Sequence, residues 1–176
     1  MSTTIDGSAS VTINSGAVLG ITSGTAVSPT SGTSVDFTGI PAWCKRITVM
    51  WSVLTASGSS AFLIQLGTSG GIVSTGYNAS GTGLGASVLV TASSTSGFVT
   101  RNARTVSSTY SGVLHIVNLT GNTWVGNGSM ASASATEGAN FSGGIASLGG
   151  TLDRVRITTT NGTDAFSAGS INIFYE

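Results

Sequence analysis

The sequence predicts an all-β protein, an antiparallel β-sandwich of the jelly-roll type with an extended N-terminal arm. Strong helix formers are scarce, since the 176 residues include one Lys and two Glu. β-Branched Thr, Val and Ile recur in short alternating runs, which is the pattern of half-buried strands. The 26 glycines fall largely between those runs, where turns are expected. The length suits one domain with a hydrophobic core.

Residues 1–32 are predicted to form the arm, because they are small and polar with only two short alternating patches, at residues 9–13 and 17–21. Such patches suit edge strands added to another molecule, either a partner protein or a sister subunit. The first seven residues have neither the basic nor the apolar part of a signal peptide, which predicts synthesis in the cytoplasm. The compact domain is therefore expected over residues 33–176.

The first strands of that domain are predicted at residues 35–37, after which residues 39–41 close a turn, and at residues 45–54. In the second of these strands the apolar side chains alternate and should share one face: Ile47, Val49, Trp51 and Val53. Residues 61–66 are apolar at nearly every position, which indicates a strand buried on both faces.

Weaker strands are expected at residues 72–74, 86–92 and 98–101. Residues 113–119 give a strong strand, whose hairpin partner begins at residues 123–125 after the two-residue turn Gly121 and Asn122. The low-complexity residues 129–144 are interpreted as a long surface loop.

The C-terminal strands are expected at residues 152–160 and 170–176, with a turn at residues 161–164. In the first of them, Val155, Ile157 and Thr159 should point inward and Arg154, Arg156 and Thr158 outward. The total of eight to ten short strands joined by glycine-rich turns is what favours a sandwich, with a barrel as the alternative.

The charge content excludes several classes of function. Only 7% of residues are charged and the formal net charge is +0, so no basic cluster predicts binding to nucleic acid or anionic lipid. No apolar run reaches the roughly 18 residues that a membrane helix needs, so membrane insertion is not expected. So little charge favours self-association, which suits a protein that assembles.

The residues that could carry chemistry are few, and no catalytic, metal or cofactor site is predicted. His115, the single histidine, alternates with valines on a strand and is expected to be structural or at an interface. Cys44 is read as a packed residue, the alternative being a thiolate stabilised by Lys45 and Arg46. Asp153, Asp164 and Asn161 could surround calcium, or Asp153 could pair with a nearby arginine.

Exposed aromatic rings can stack on sugar rings, which makes some of the aromatic residues candidates for contact with a glycan or receptor. Trp51 is assigned to the core by its alternation. The remaining candidates for such a contact are Trp43, Tyr77 and Tyr110.

Three segments resemble small bacteriophage virion surface proteins and the C-terminal β-domains of phage tail fibres. They are residues 33–49 (TSVDFTGIPAWCKRITV), 64–77 (IQLGTSGGIVSTGY) and 151–176 (TLDRVRITTTNGTDAFSAGSINIFYE). The resemblance, to which residues 121–125 add weakly, spans residues 33–176. It implies a role on the virion surface, in a tail fibre, a head fibre or a capsid decoration, as a homotrimer, and it transfers no catalytic residue.

The sequence thus leads to the hypothesis of a non-enzymatic virion structural protein, whose apolar sheet faces meet in a homotrimer. Residues 1–32 would attach it to other virion proteins. The first alternative is a receptor- or glycan-binding module at the host surface. The second is a polysaccharide depolymerase, which the small number of acids disfavours.

Overall fold

The computed structural model confirms the antiparallel β-sandwich. It describes residues 20–85, 89–101, 103–106, 108–134 and 137–176, and the backbone of residues 12–13 and 16–17. All regular structure in these residues is strand. No helix long and apolar enough to cross a membrane occurs among them. The strands are β1 (Thr12–Ile13), β2 (Gly16–Ala17), β3 (Thr22–Ser23), β4 (Val35–Thr38), β5 (Arg46–Ala56), β6 (Phe62–Thr68), β7 (Gly71–Ile72), β8 (Tyr77–Gly85), β9 (Leu89–Ser94), β10 (Phe98–Val99), β11 (Tyr110–Thr120), β12 (Thr123–Ser132), β13 (Glu137–Ser147), β14 (Arg154–Thr159) and β15 (Phe166–Tyr175).

Two unequal sheets form the sandwich. The larger sheet has eight strands in the order β3-β15-β5-β11-β12-β13-β8-β9. The smaller sheet has the order β10-β6-β14-β4, with β7 paired to β6 as its fifth strand. β1 and β2 pair with each other. The core lies between the two sheets, because the inward side chains of both belong to one buried apolar cluster.

The strands with strong sequence signals lie where they were expected. The hairpin of β11 and β12 turns at Gly121 and Asn122, and Gly121 has the positive φ (51°) that such a turn favours. β6 is buried on both faces, as predicted. In β14 the inward positions Val155, Ile157 and Thr159 are buried.

The central strand β5 departs from the predicted alternation after Trp51, which is itself buried at 5% exposure. Gly112 of β11 lies opposite Trp51 and Tyr110 lies opposite Leu54, so two residues of β5 face one residue of β11. This β-bulge reverses the alternation. Val53 is consequently 52% exposed with a φ of 52°, and the prediction that it shares the buried face is wrong.

The predicted surface loop at residues 129–144 is also wrong. β12 continues to Ser132, and most of the remaining segment belongs to β13. β8, which the sequence analysis missed, pairs with β13 on its other side. Both strands are rich in glycine and poor in β-branched residues, so neither has the local signal of a strand. Their neighbours in the sheet supply the hydrogen bonds that define them.

Part of the predicted arm lies against the protein's own sheet. Thr22 and Ser23 of β3 pair with Tyr175 and Phe174 of β15, and Val27 forms an isolated bridge with Ile171. The side chains of residues 1–19 are outside the part of the chain that the structure describes. This range contains both patches proposed to add edge strands, apart from Gly20 and Ile21. Attachment through the arm therefore stays a prediction.

Candidate functional site

Two of the three aromatic residues predicted to contact a glycan are buried. Tyr77 is 4% exposed, and its hydroxyl bonds the backbone of Leu66, accepting from the amide at 2.7 Å. Tyr110 is fully buried and donates to the Glu137 carboxylate. Burial is the main cause that raises the pKa of each phenol to about 12. Both begin strands with their rings turned inward, so the prediction that they contact a ligand at the surface is wrong.

Trp43 is the candidate that remains at the surface. It is 38% exposed, and its ring centroid lies 6.0 Å from that of Tyr175 at a tilt of 44°. The Tyr175 contact holds the indole at the end of the sandwich where β5 begins and β15 ends. Its role in binding stays a prediction.

A cluster of buried charges surrounds the Tyr110 hydroxyl. Glu137 accepts hydrogen bonds from the amide and hydroxyl of Thr105, each at 2.8 Å, and Arg101 Nη1 lies 3.0 Å from the carboxylate. Burial pushes the pKa of Glu137 up, but bonds from Tyr110 and Thr105 and the charge of Arg101 outweigh it and leave the pKa below its ordinary value. The cluster ties the segment around Thr105 to the sheet, which is a structural role.

Arg104 is anchored at the same end of the sandwich. Its Nε and Nη2 donate to the carbonyls of Ser60 and Gly58 at 2.5 and 2.8 Å, and its guanidinium lies 4.3 Å from the centre of the Phe62 ring. Asp164 is 3.9 Å away. Burial lowers the pKa of this arginine. These contacts occupy its Nε and Nη2 with backbone groups, as expected of a structural residue.

The acids considered for calcium have different partners. Asp164 accepts from Asn161 Nδ2 at 2.6 Å and from the Ser60 amide at 3.0 Å. Asp153 pairs with Arg154 at 2.6 Å, which confirms the alternative of an ion pair. Among the described residues no three acidic, histidine or cysteine side chains gather as metal ligands would.

Cys44 and His115 fit the structural interpretations. The Cys44 thiol is buried and donates to the Arg46 carbonyl at 3.3 Å, and burial raises its pKa, which opposes a thiolate. His115 is exposed on the larger sheet, with Nδ1 3.1 Å from Thr48 Oγ1. Within the described part of the chain, its ring forms no ion pair with an acid.

The most distinctive surface is the outer face of the larger sheet, meaning the face turned away from the smaller sheet. Its large apolar side chains are exposed although they lie in regular strands. They are Leu84, Leu89, Val117, Leu119, Val125, Phe141, Ile145 and Phe174. Val117 lies opposite Val125, and Val125 lies opposite Ile145, so three strands form a continuous apolar row.

Charge is nearly absent from this outer face. Arg46, the first residue of β5, is the one charged side chain on this face among the described strands, and it pairs with Glu176. The outer face of the smaller sheet is different, since Arg156 binds Asp36 through two hydrogen bonds of 2.7 Å and Arg154 lies on the same strand. A protein surface kept in water would be expected to carry charge on both faces.

The outer face is large enough for a stable interface. Eight strands about 4.8 Å apart span roughly 34 Å, and ten residues of strand span about 33 Å, so the face has an area on the order of 1,000 Å². A standard protein interface buries about 800 Å² on each partner. Sequence reasoning missed Phe141 because it fell in the supposed loop, and it assigned Ile145, the residue after that loop, to no strand. Phe141 and Ile145 are four residues apart, and residues an even number apart in a strand share a face. That spacing was the signal available in the sequence.

Comparison with known proteins adds no assignment. Neither a family model, nor a curated protein, nor a solved structure matches this chain.

Proposed function

We propose that this protein is a non-enzymatic structural subunit of a bacteriophage virion surface, in a capsid decoration, a head fibre or a tail fibre. The subunits form a homotrimer through the outer face of the larger sheet. Residues 1–32 attach the trimer to other virion proteins. The virion role and the homotrimer come from the sequence resemblance, and the choice of the contacting face comes from the sheet.

The observation that carries the assembly is the nearly charge-free outer face with its exposed apolar side chains, which include the row of Val117, Val125 and Ile145. Neighbouring exposed apolar side chains on a protein surface mark interaction sites. The centre of an interface is also depleted of charged residues, as this face is. A second copy of the chain is the occupant that fits, because a face without charge cannot repel its own copy.

The mass of the purified full-length chain in solution tests the assembly. Native mass spectrometry or light scattering should give three times the 17.4 kDa of the chain. The double variant Val125→Lys with Ile145→Lys places like charges in the apolar row and should raise the dissociation constant roughly a hundredfold or more. Thr38→Lys is the control, since Thr38 is exposed on the smaller sheet. A stable wild-type monomer at micromolar concentration would contradict the proposal.

The position on a particle needs a separate test. Density for this sandwich in a cryo-EM map of an intact virion would support the virion role. A trimer that is absent from purified particles would leave the assembly standing and remove the virion role.

A receptor- or glycan-binding module is the second candidate function. The observation in its favour is Trp43, whose exposed indole is fixed by Tyr175 at one end of the sandwich. Loss of binding to host cells in a Trp43→Ala variant of unchanged mass and stability would support it. Unchanged binding would exclude Trp43, the last of the aromatic candidates, from contact with a receptor or glycan.

A further inference from the structure

Among the described residues, one basic side chain has no carboxylate partner. Each of the five arginines has a carboxylate partner among the described residues. Those residues give no such partner to Lys45, the single lysine. Its ammonium donates one hydrogen bond, to Asn118 Oδ1 at 3.2 Å. An ammonium has three donors, so Lys45 keeps donors free for another acceptor.

Lys45 lies in a cavity of about 190 Å³ at the end of the sandwich where β11 turns into β12. The segment before β5, the turn at Asn122 and the loop before β14 form its walls. Trp124 and Leu152 lie behind this lining and are only 4% and 3% exposed, so the accessible lining is mainly polar. The cavity thus combines a cation with amide and hydroxyl groups, which are the groups that orient a small polar ligand.

The turn holds the ammonium in position. Asn118 uses its amide nitrogen to bond the carbonyls of Gly121 and Thr123 at 2.9 and 3.2 Å, which fixes the side chain. Its oxygen is thereby directed to Lys45. The tight turn also places Asn122 on the wall of the same cavity. A lysine fixed in this way loses less conformational entropy when it binds a ligand.

We propose that this cavity binds the carboxylate of a small polar ligand, with an acidic sugar as the class that fits best. The carboxylate would accept charge-assisted hydrogen bonds from Lys45, and the amide of Asn122 would bond a hydroxyl. Thr151, which also lines the cavity, would bond another hydroxyl of the sugar. This site goes beyond the structural role and does not depend on it.

Titration of the isotope-labelled full chain with glucuronate, followed by NMR, tests the site. The side-chain signals of Asn118, Asn122 and the Trp124 indole should shift in a saturable way. Glucose, the matched neutral sugar, should leave them unchanged. Lys45→Met should weaken glucuronate binding about tenfold or more, because a charge-assisted bond is lost, and Lys45→Arg should restore it.

No response of these signals to glucuronate in the wild type, or an equal response in Lys45→Met, would overturn the proposal.

Discussion

The two halves of the larger sheet reach the smaller sheet by different means. In β15, β5 and β11 the inward positions carry large side chains that fill the space between the sheets, such as Ile47, Val49 and Ile116. In β12, β13 and β8 many of these positions are glycine. A methyl group at Gly81 would stand 2.5 Å from the Val99 carbonyl oxygen, and one at Gly126 would stand 2.9 Å from the Phe98 ring. The second half therefore packs by close approach of β10.

This contrast teaches that burial in one sandwich does not require one kind of residue. Where the sheets are far apart, stability comes from the apolar area of large side chains. Where they are close, the space for a side chain is missing and glycine is the residue that fits. The effect of changing residue size should therefore reverse between the halves: shrinking destabilises the first, and enlarging destabilises the second.

The largest effect is expected in the half built from large side chains. Leu114 of β11 is fully buried, and Leu114→Ala should lower the free energy of unfolding by about 2–5 kcal/mol through lost burial and a cavity. Denaturant unfolding at one protein concentration measures this. Val106→Ala is the control, since Val106 is 50% exposed and lies outside the proposed interface. Equal losses in the two variants would contradict the contrast.

Enlarging a residue should destabilise the glycine half, meaning the strands β12, β13 and β8 with their inward glycines. Gly81→Ala should cost about 1–3 kcal/mol, because the contacts of the added methyl group are backbone atoms of Val99 and Thr100 that cannot turn aside. Gly149→Ala is the matched control, with no atom within 4 Å of the added group and no positive φ. It should be neutral or slightly stabilising. A Gly81→Ala variant as stable as the control would mean that β10 can move away.

The glycine half also contains Glu137, a buried acid, which should make this half sensitive to low pH. The folded pKa of Glu137 lies below its ordinary 4.5, so its bonds stabilise the fold above pH 4.5. That contribution is lost as the pH falls below 4.5 through the folded pKa. Glu137→Gln should cost about 1–1.5 kcal/mol at pH 7 and progressively less in acid.

Unfolding of the wild type and Glu137→Gln at pH 7 and at pH values below 4.5 measures this difference. Asp164 also has a lowered pKa, because bonds from Asn161 and Ser60 and the charge of Arg104 outweigh the effect of burial. Some acid sensitivity should therefore remain in the variant. A cost for Glu137→Gln that stays constant with pH would assign no acid sensitivity to Glu137.

The sequence by itself determined the fold class and the strands with strong local patterns. Alternating β-branched and apolar residues were sufficient for β5, β6, β11, β14 and β15, and the Gly121 and Asn122 turn was sufficient for the hairpin. The same reasoning assigned Trp51 to the core correctly. These features depend on neighbours along the chain, and local sequence contains that information.

Tertiary structure alone decided the bulge at Val53, the strands β8 and β13, the burial of Tyr77 and Tyr110, and the outer face. A glycine-rich segment becomes a strand because its neighbours supply hydrogen bonds and close backbone contacts, and neither is written in its own residues. The surroundings of Lys45 are of the same kind. Its cavity joins segments more than a hundred residues apart, and a cation without a partner becomes visible only when all the other pairs have formed.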